Sequence, residues 1–227
     1  IRWVIDGNAT AFEAFDDAVL ESSRHRAFTA TARVMCDHLA GQLDARWARG
    51  AMRQCHGDLH LRNIVILDQR PTPFDAVEFN ADLACIDVWY DLAFLLMDLW
   101  RRGLPRHANV VMNEYARATG DLDGLSPLPL FLACRAAVRA KTSATAALLS
   151  DRVDARAALL EAARGYLILA LTLIEPRPAA LVVIGGWSGS GKSTQAAMLA
   201  PDLGAVPGAV HLRTDVIRKD LFGVSWD

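Results

Sequence analysis

The sequence predicts a mixed architecture: a mostly helical α+β lobe over residues 1–175, a proline-rich linker at 176–180, and the opening of an α/β domain at 181–227. Three observations predict it. Apolar residues recur at helical spacing through most of the first 175 positions. A polar loop, His56 to Asn63, opens directly into the apolar strand run Ile64–Leu67. A second apolar run, Leu181–Ile184, leads into a glycine-rich loop and then a helical pattern.

Taken in order, Ile1 to Asn8 reads as a short strand or loop ending in the turn signal Asp6-Gly7-Asn8. From Thr10 to about Arg49 the pattern is helical, with Phe12, Phe15, Val19 and Leu20 on one face and Phe28, Ala32, Met35, Leu39 and Leu43 on another. After Leu67, the stretch Asp68 to Pro73 is a turn signal and Phe74 to Phe79 is expected to be a second strand. Leu92, Leu95, Leu96, Leu99 and Trp100 then mark a helix whose start carries Asp87 and Asp91, read as caps or anchors of the preceding loop. Helical patterns follow from Asn109 to Thr119 and from Pro127 to about Leu149, separated by a turn at Gly120 to Gly124. Asp151 is the expected cap of a last helix reaching Ile174, and Pro176 and Pro178 end it.

The loop His56-Gly57-Asp58-Leu59-His60-Leu61-Arg62-Asn63 carries the first candidate site. An Asp with an Asn five residues on, in a loop opening a strand, is what phosphoryl transfer of the protein-kinase type uses: a carboxylate to take the hydroxyl proton, and a carboxamide to hold magnesium. Asp58 is thus the expected base and Asn63 a metal ligand. His56, Asp58 and His60 at alternate positions also read as transition-metal ligands, or the loop as a capped turn without chemistry. The block resembles the catalytic loop of the aminoglycoside phosphotransferase family, which has a protein-kinase-like fold. That resemblance implies a second metal-binding carboxylate at the end of the hairpin, where Val77-Glu78-Phe79 places Glu78, with Asp75 as its rival. Arg135, Arg139 and Lys141 read either as lining a substrate cleft or as a solvated helix face.

The second candidate site is Gly186 to Ser193, which satisfies G-x-x-x-x-G-K-[ST] between an expected strand and helix. Gly186, Ser188, Gly189, Ser190, Gly191, Lys192, Ser193 and Thr194 are the expected nucleotide-binding residues. Glycines let backbone N–H groups curl around phosphates, Lys192 reaches the terminal phosphates, and Ser193 binds Mg²⁺. Asp215, at the end of an expected strand over 209–215, is either a contact for the acceptor hydroxyl or a helix cap. The region Arg213 to Gly223 is similar to that of zeta-toxin- and gluconate-kinase-like P-loop kinases.

Together these stretches resemble bifunctional proteins that join an aminoglycoside phosphotransferase-like lobe to an AAA-type P-loop ATP-binding domain. The resemblance implies ATP and Mg²⁺ as cofactors and a small-molecule hydroxyl as acceptor. The alternative is an inactive kinase-like module whose P-loop senses ATP for a partner. At 227 residues, 52% hydrophobic, 22% charged and a net charge of -2, the chain shows no basic block, so neither nucleic acid nor an anionic membrane surface is expected as a partner. No uninterrupted apolar run approaches the ~20 residues that span a bilayer. Cys36, Cys55, Cys85 and Cys134 form no Cys-x-x-Cys pair and read as buried, reduced thiols of a cytoplasmic protein. Lys141, Lys192 and Lys219 are the lysines, so no small-lobe lysine precedes Asp58. With Ile at position 1 and an end close after a helix, the sequence is expected to be a piece cut at both ends. Both the small lobe and the strand bearing a second P-loop carboxylate are expected outside it, and the piece alone is expected not to turn over.

Overall fold

A computed structural model describes residues 1–223. Period-3.6 apolar spacing dictates most of it. The helices are α1 (Arg2–Glu13), α2 (Ser22–His38), α3 (Ala40–Ala48), α4 (Ala81–Ala84), α5 (Val88–Arg101), α6 (Pro105–Thr119), α7 (Leu128–Leu148) and α8 (Val153–Ile174), with α9 (Lys192–Leu199) and α10 (Thr214–Phe222) beyond the proline break. The strands are β1 (Met52–Gln54), β2 (Ile64–Leu67), β3 (Arg70–Pro73) and β4 (Cys85–Asp87).

At the centre lies α7, whose Leu130, Phe131, Leu132, Ala133, Ala136 and Ala137 are fully buried. Its alanine-rich surface lets α8 run alongside, with Ala163, Leu167 and Ala170 in the shared core. By length and composition α8 is apolar enough to cross a bilayer, with a mean hydropathy of 1.7 over its best window. Reading uninterrupted apolar runs missed this, because the scattered charges near its start do not lower the average enough. Asp151 does not cap it; Arg152 holds that position without a side-chain bond.

The N-terminal segment is helix rather than the expected strand or loop. Ile5, Asn8 and Phe12 fall on one buried face at helical spacing, and that face outweighs the Asp6-Gly7-Asn8 turn signal. The hairpin is also earlier than expected. Asp68 and Gln69, at φ 47° and 61°, make a two-residue turn that folds Arg70–Pro73 back on Ile64–Leu67, pairing Leu67 with Arg70 and Ile64 with Pro73. Prolines 71 and 73 sit on this edge strand, where a missing N–H is tolerated. Residues 74–79 form no strand; Phe74 N–H donates to the Asn63 carbonyl and Val77 N–H to the His56 carbonyl, tying the segment to the polar loop. β1 pairs antiparallel with β4, Met52 opposite Asp87.

One ion cluster joins the helices around this sheet. Arg46, 2% exposed, donates to both oxygens of Asp87 at 2.7 and 2.9 Å and to both oxygens of Asp121 at 2.7 and 2.9 Å. Asp87 also caps α5 through the Trp89 N–H, and the Trp89 indole donates to the Asp121 carbonyl. Burial opposes the guanidinium charge, yet the two carboxylates raise its pKa, and Arg46 in turn lowers that of Asp121.

Beyond Ile174, residues 181–184 lie unpaired rather than as the expected strand, the first three of them exposed; Leu181 is 86% exposed. An apolar run becomes a strand only against neighbours, and none of the described residues pairs with it. The expected strand at 209–215 is also absent: residues 208–213 have no regular structure. Asn109 donates to the carbonyls of Pro207 and Ala209, and Asn113 accepts from His211 N–H, so α6 holds this stretch. Residues 224–227, the end of the expected second domain, lie outside the described residues. No disulfide forms; Cys36 and Cys134 are buried, but Cys85 is exposed, contrary to the expectation of four buried thiols.

Replacing Arg46 by Ala strands two carboxylates and should lower stability by about 3–5 kcal/mol. Urea unfolding near neutral pH measures this; a loss below about 1 kcal/mol would mean the charges are solvated, not mutually dependent.

Candidate functional site

The polar loop is held by carboxylates from a single helix. Asp91 on α5 accepts the His56 N–H at 3.0 Å and the Gly57 N–H at 2.9 Å. Seven residues on, and so on the same helix face, Asp98 accepts the Leu61 N–H at 3.0 Å while holding Arg102 at 3.0 Å. From α7, Arg135 donates to the carbonyls of Gly57 at 3.1 Å and Tyr90 at 3.0 Å and lies 3.9 Å over the Tyr90 ring. It is buried, not on the solvated face that sequence allowed as one reading. Gly57 stands at φ +82°, where a Cβ would meet Val77 at 3.0 Å and the Leu83 carbonyl at 3.1 Å, so no other residue fits without displacement.

This scaffold fixes Asp58 and Asn63. The Asn63 amide nitrogen donates to the Asp58 carbonyl and to its Oδ2, both at 3.0 Å. With its nitrogen committed, the Asn63 side-chain carbonyl is the atom left to meet a cation. His60 Nε2 lies 3.4 Å from Asp58 Oδ2, and its ring meets Phe94 edge-on. The bond from His60, aided by Asn63 and the field of Arg139, lowers the Asp58 pKa against the opposing effect of burial. His56 turns its Nε2 to the Phe74 carbonyl at 2.8 Å. The alternate-position histidines therefore do not converge on a metal. Among the described residues no three His, Cys, Asp or Glu side chains form a ligand cluster.

Asp58 opens on a cleft of about 710 Å³, which Asp75, Glu78 and Asp82 also line. Glu78 and its rival Asp75 thus share one space with the expected base, while Asn63 joins it only through Asp58. Two cleft residues had no role in the sequence reading or only an open one. Asn8, on α1, is 1% exposed, and among the described residues neither its amide nitrogen nor its amide oxygen has a hydrogen-bond partner. Nothing flagged it, because its tripeptide read as a turn. Lys141, on α7, also lines the cleft, and burial lowers its pKa. A second cleft of about 470 Å³ lies by Arg46 and Arg49, but their charges are already matched by Asp121 and Asp123.

The glycine loop forms a separate feature. Gly189 and Gly191 take φ +76° and +81°, the curled backbone expected there, and Gly191 immediately precedes α9. Lys192 Nζ donates to the Trp187 carbonyl at 2.6 Å, closing the loop on itself. Gly186, Ser188, Ser190, Ser193 and Thr194 are exposed around it. Asp215 lies in the first turn of α10 and pairs with Arg213 at 2.6 Å.

No family model matches the chain, and no solved structure matches it. Over 176 residues, 78% of the chain, it is 32% identical to an uncharacterized protein of Mycobacterium tuberculosis, and to the same extent to one of Mycobacterium bovis. The chain spans 34% of the length of these relatives.

A carboxyl with a depressed pKa contributes stability above its unfolded value and loses it as pH falls through the folded one. Asp58 should therefore stay ionised into the acid range, and ¹³C-detected NMR should show it titrating below exposed aspartates. His60→Ala should raise the midpoint; an unmoved midpoint would remove His60 as its cause.

Proposed function

We propose that the chain carries an ATP-dependent phosphotransferase site, acting on a small-molecule hydroxyl, beside a P-loop nucleotide site. The observation that carries the first is the Asp58–Asn63 pair, bonded at 3.0 Å, backed by Asp91 and opening on a cleft lined by further carboxylates. The bond from the hydroxyl oxygen to the γ-phosphorus forms as that to ADP breaks, and the hydroxyl proton passes to Asp58, whose depressed pKa keeps it ionised to receive it.

Mg²⁺ characteristically takes one or two carboxylates and completes its shell with phosphate oxygens and water. The side-chain carbonyl of Asn63 and a carboxylate from Glu78 or Asp75 fit that requirement without a preassembled cluster. Magnesium, when bound, would neutralise charge on the phosphates. At the second site Gly186 to Thr194 would bind nucleotide, with Ser193 at its metal and Asp215 at an acceptor. The side chain at position 78 favours one rival, since Glu is a methylene longer than the Asp of the resembling family: a nucleotide-sensing module without transfer.

Asp58→Asn in the full chain carrying this sequence should cut transfer from γ-labelled ATP by roughly 10²-fold or more while leaving ATP affinity unchanged. Undiminished transfer would refute the assignment. ATP binding by the full chain without any transfer, across a panel of hydroxyl acceptors, would favour the sensing module.

A further inference from the structure

Between the glycine loop and the helical lobe runs a stretch, residues 200–211, to which the proposed function gives no part. It follows α9 directly, and it rather than α9 makes the contact: among the described residues none of α9 is buried, whereas Ala200, Pro201 and Pro207 are. Ala209 N–H donates to the Ala200 carbonyl at 2.7 Å, folding the stretch back on the end of α9, and Val206 and Val210 pack against the core of the lobe. On α6, Asn109 and Asn113 stand one turn apart and so on one face. Asn109 donates to the carbonyls of Pro207 at 3.2 Å and Ala209 at 3.0 Å; Asn113 donates to that of Ala209 at 3.2 Å and accepts the His211 N–H at 2.7 Å. Gly208 makes the close approach possible: a Cβ there would lie 2.3 Å from the Ala200 carbonyl oxygen and 2.9 Å from Asn109 Nδ2.

These bonds go to main-chain atoms, so they fix the path of the stretch whatever its side chains, and for Asn109, 4% exposed, losing them would leave a buried amide nitrogen unpaired. At the other end of α9, Lys192 Nζ donates to the Trp187 carbonyl. A bound phosphate would take that ammonium, and the loop around Gly189 and Gly191 would close on the phosphate instead of on itself. Two arrangements of the loop thus meet α9 at its first turn, while its last turn is tied to α6. Near its own C-terminal end α6 presents Tyr115 edge-on to the Trp89 ring at 5.0 Å, and Asp121, just beyond, holds Arg46, so α6 bears on the start of α5. We propose that residues 200–211 are a strap through which nucleotide at Gly186 to Thr194 is felt at α6, an inference that rests on reading the glycine loop as a nucleotide site.

The test is hydrogen exchange of the full chain carrying this sequence, with and without Mg·ATP. The glycine loop and the amides of α6 should both exchange more slowly with nucleotide, those of α6 by roughly fivefold or more. Lys192→Ala should abolish the change at both places, which separates it from any nucleotide in the Asp58 cleft. Asn109→Ala/Asn113→Ala should keep ATP affinity and the change at 186–194 but lose the change at α6. Should that variant not fold, Gly208→Ala, which leaves α6 itself intact and pushes the strap away, decides in its place. A change confined to 186–199, one at α6 that survives Lys192→Ala, or one at α6 that survives release of the strap would overturn the proposal while leaving the nucleotide site standing. No change at the glycine loop at saturating Mg·ATP would count against the nucleotide reading, and the strap would fall with it.

Discussion

The site depends above all on the carboxylate of Asp91. It receives two consecutive backbone N–H groups, those of His56 and Gly57, and so fixes where the loop leaves β1 and in what direction Asp58 emerges. Arg135 completes the arrangement from α7 by taking the Gly57 carbonyl and lying 3.6 Å from Asp91, so that loop backbone, carboxylate and guanidinium lie together within the core. Burying charge is unfavourable unless it is paired and bonded. Here the partner is the loop itself, which makes the conformation of residues 56–58 a condition of burying α5 and α7 together.

Asp98 extends the same device to the far end of the loop. Two carboxylates on one face of α5 grip it at Gly57 and Leu61, and the intervening residues present Asp58 to the cleft. If Asp58 is the base proposed above, a loop tied down by two rigid helix carboxylates is what positioning chemistry needs. The Arg46 cluster serves the sheet underneath: Asp87 caps α5 and closes β4, so that the start of the gripping helix is anchored to α3 and to the turn after α6.

Helices with one strong apolar stripe were legible in the sequence. The leucines of α5, the alanines and leucines of α7, and the glycine that ends α6 at φ +67° lie where their spacing put them. Asp87 and Asp91 were legible as cap and anchor because charged residues at a helix start have few other uses. Asp98 was not, since an acidic residue inside a helix ordinarily faces water, and nothing local signals that a loop lies over it. The same blindness hid Asn8, whose burial follows from Ile5 and Phe12 flanking it on one helical face rather than from its own neighbours. The two strands expected beyond residue 180 failed for a different reason: strand formation is a property of pairs, and spacing alone reveals only one member. At the glycine loop the positive φ angles of Gly189 and Gly191 were legible, because curvature there is set by the residues themselves.

The central claim is that Asn63 meets the cation of bound nucleotide beside Asp58. Mn²⁺ in place of Mg²⁺ makes this directly observable, through paramagnetic broadening of side-chain amide signals in the ¹⁵N-labelled full chain given Mn·ATP. The account predicts loss of the Asn63 side-chain signal, in addition to broadening around Gly189 to Thr194. Broadening confined to the glycine loop, with the Asn63 signal intact at saturating Mn·ATP, would contradict it.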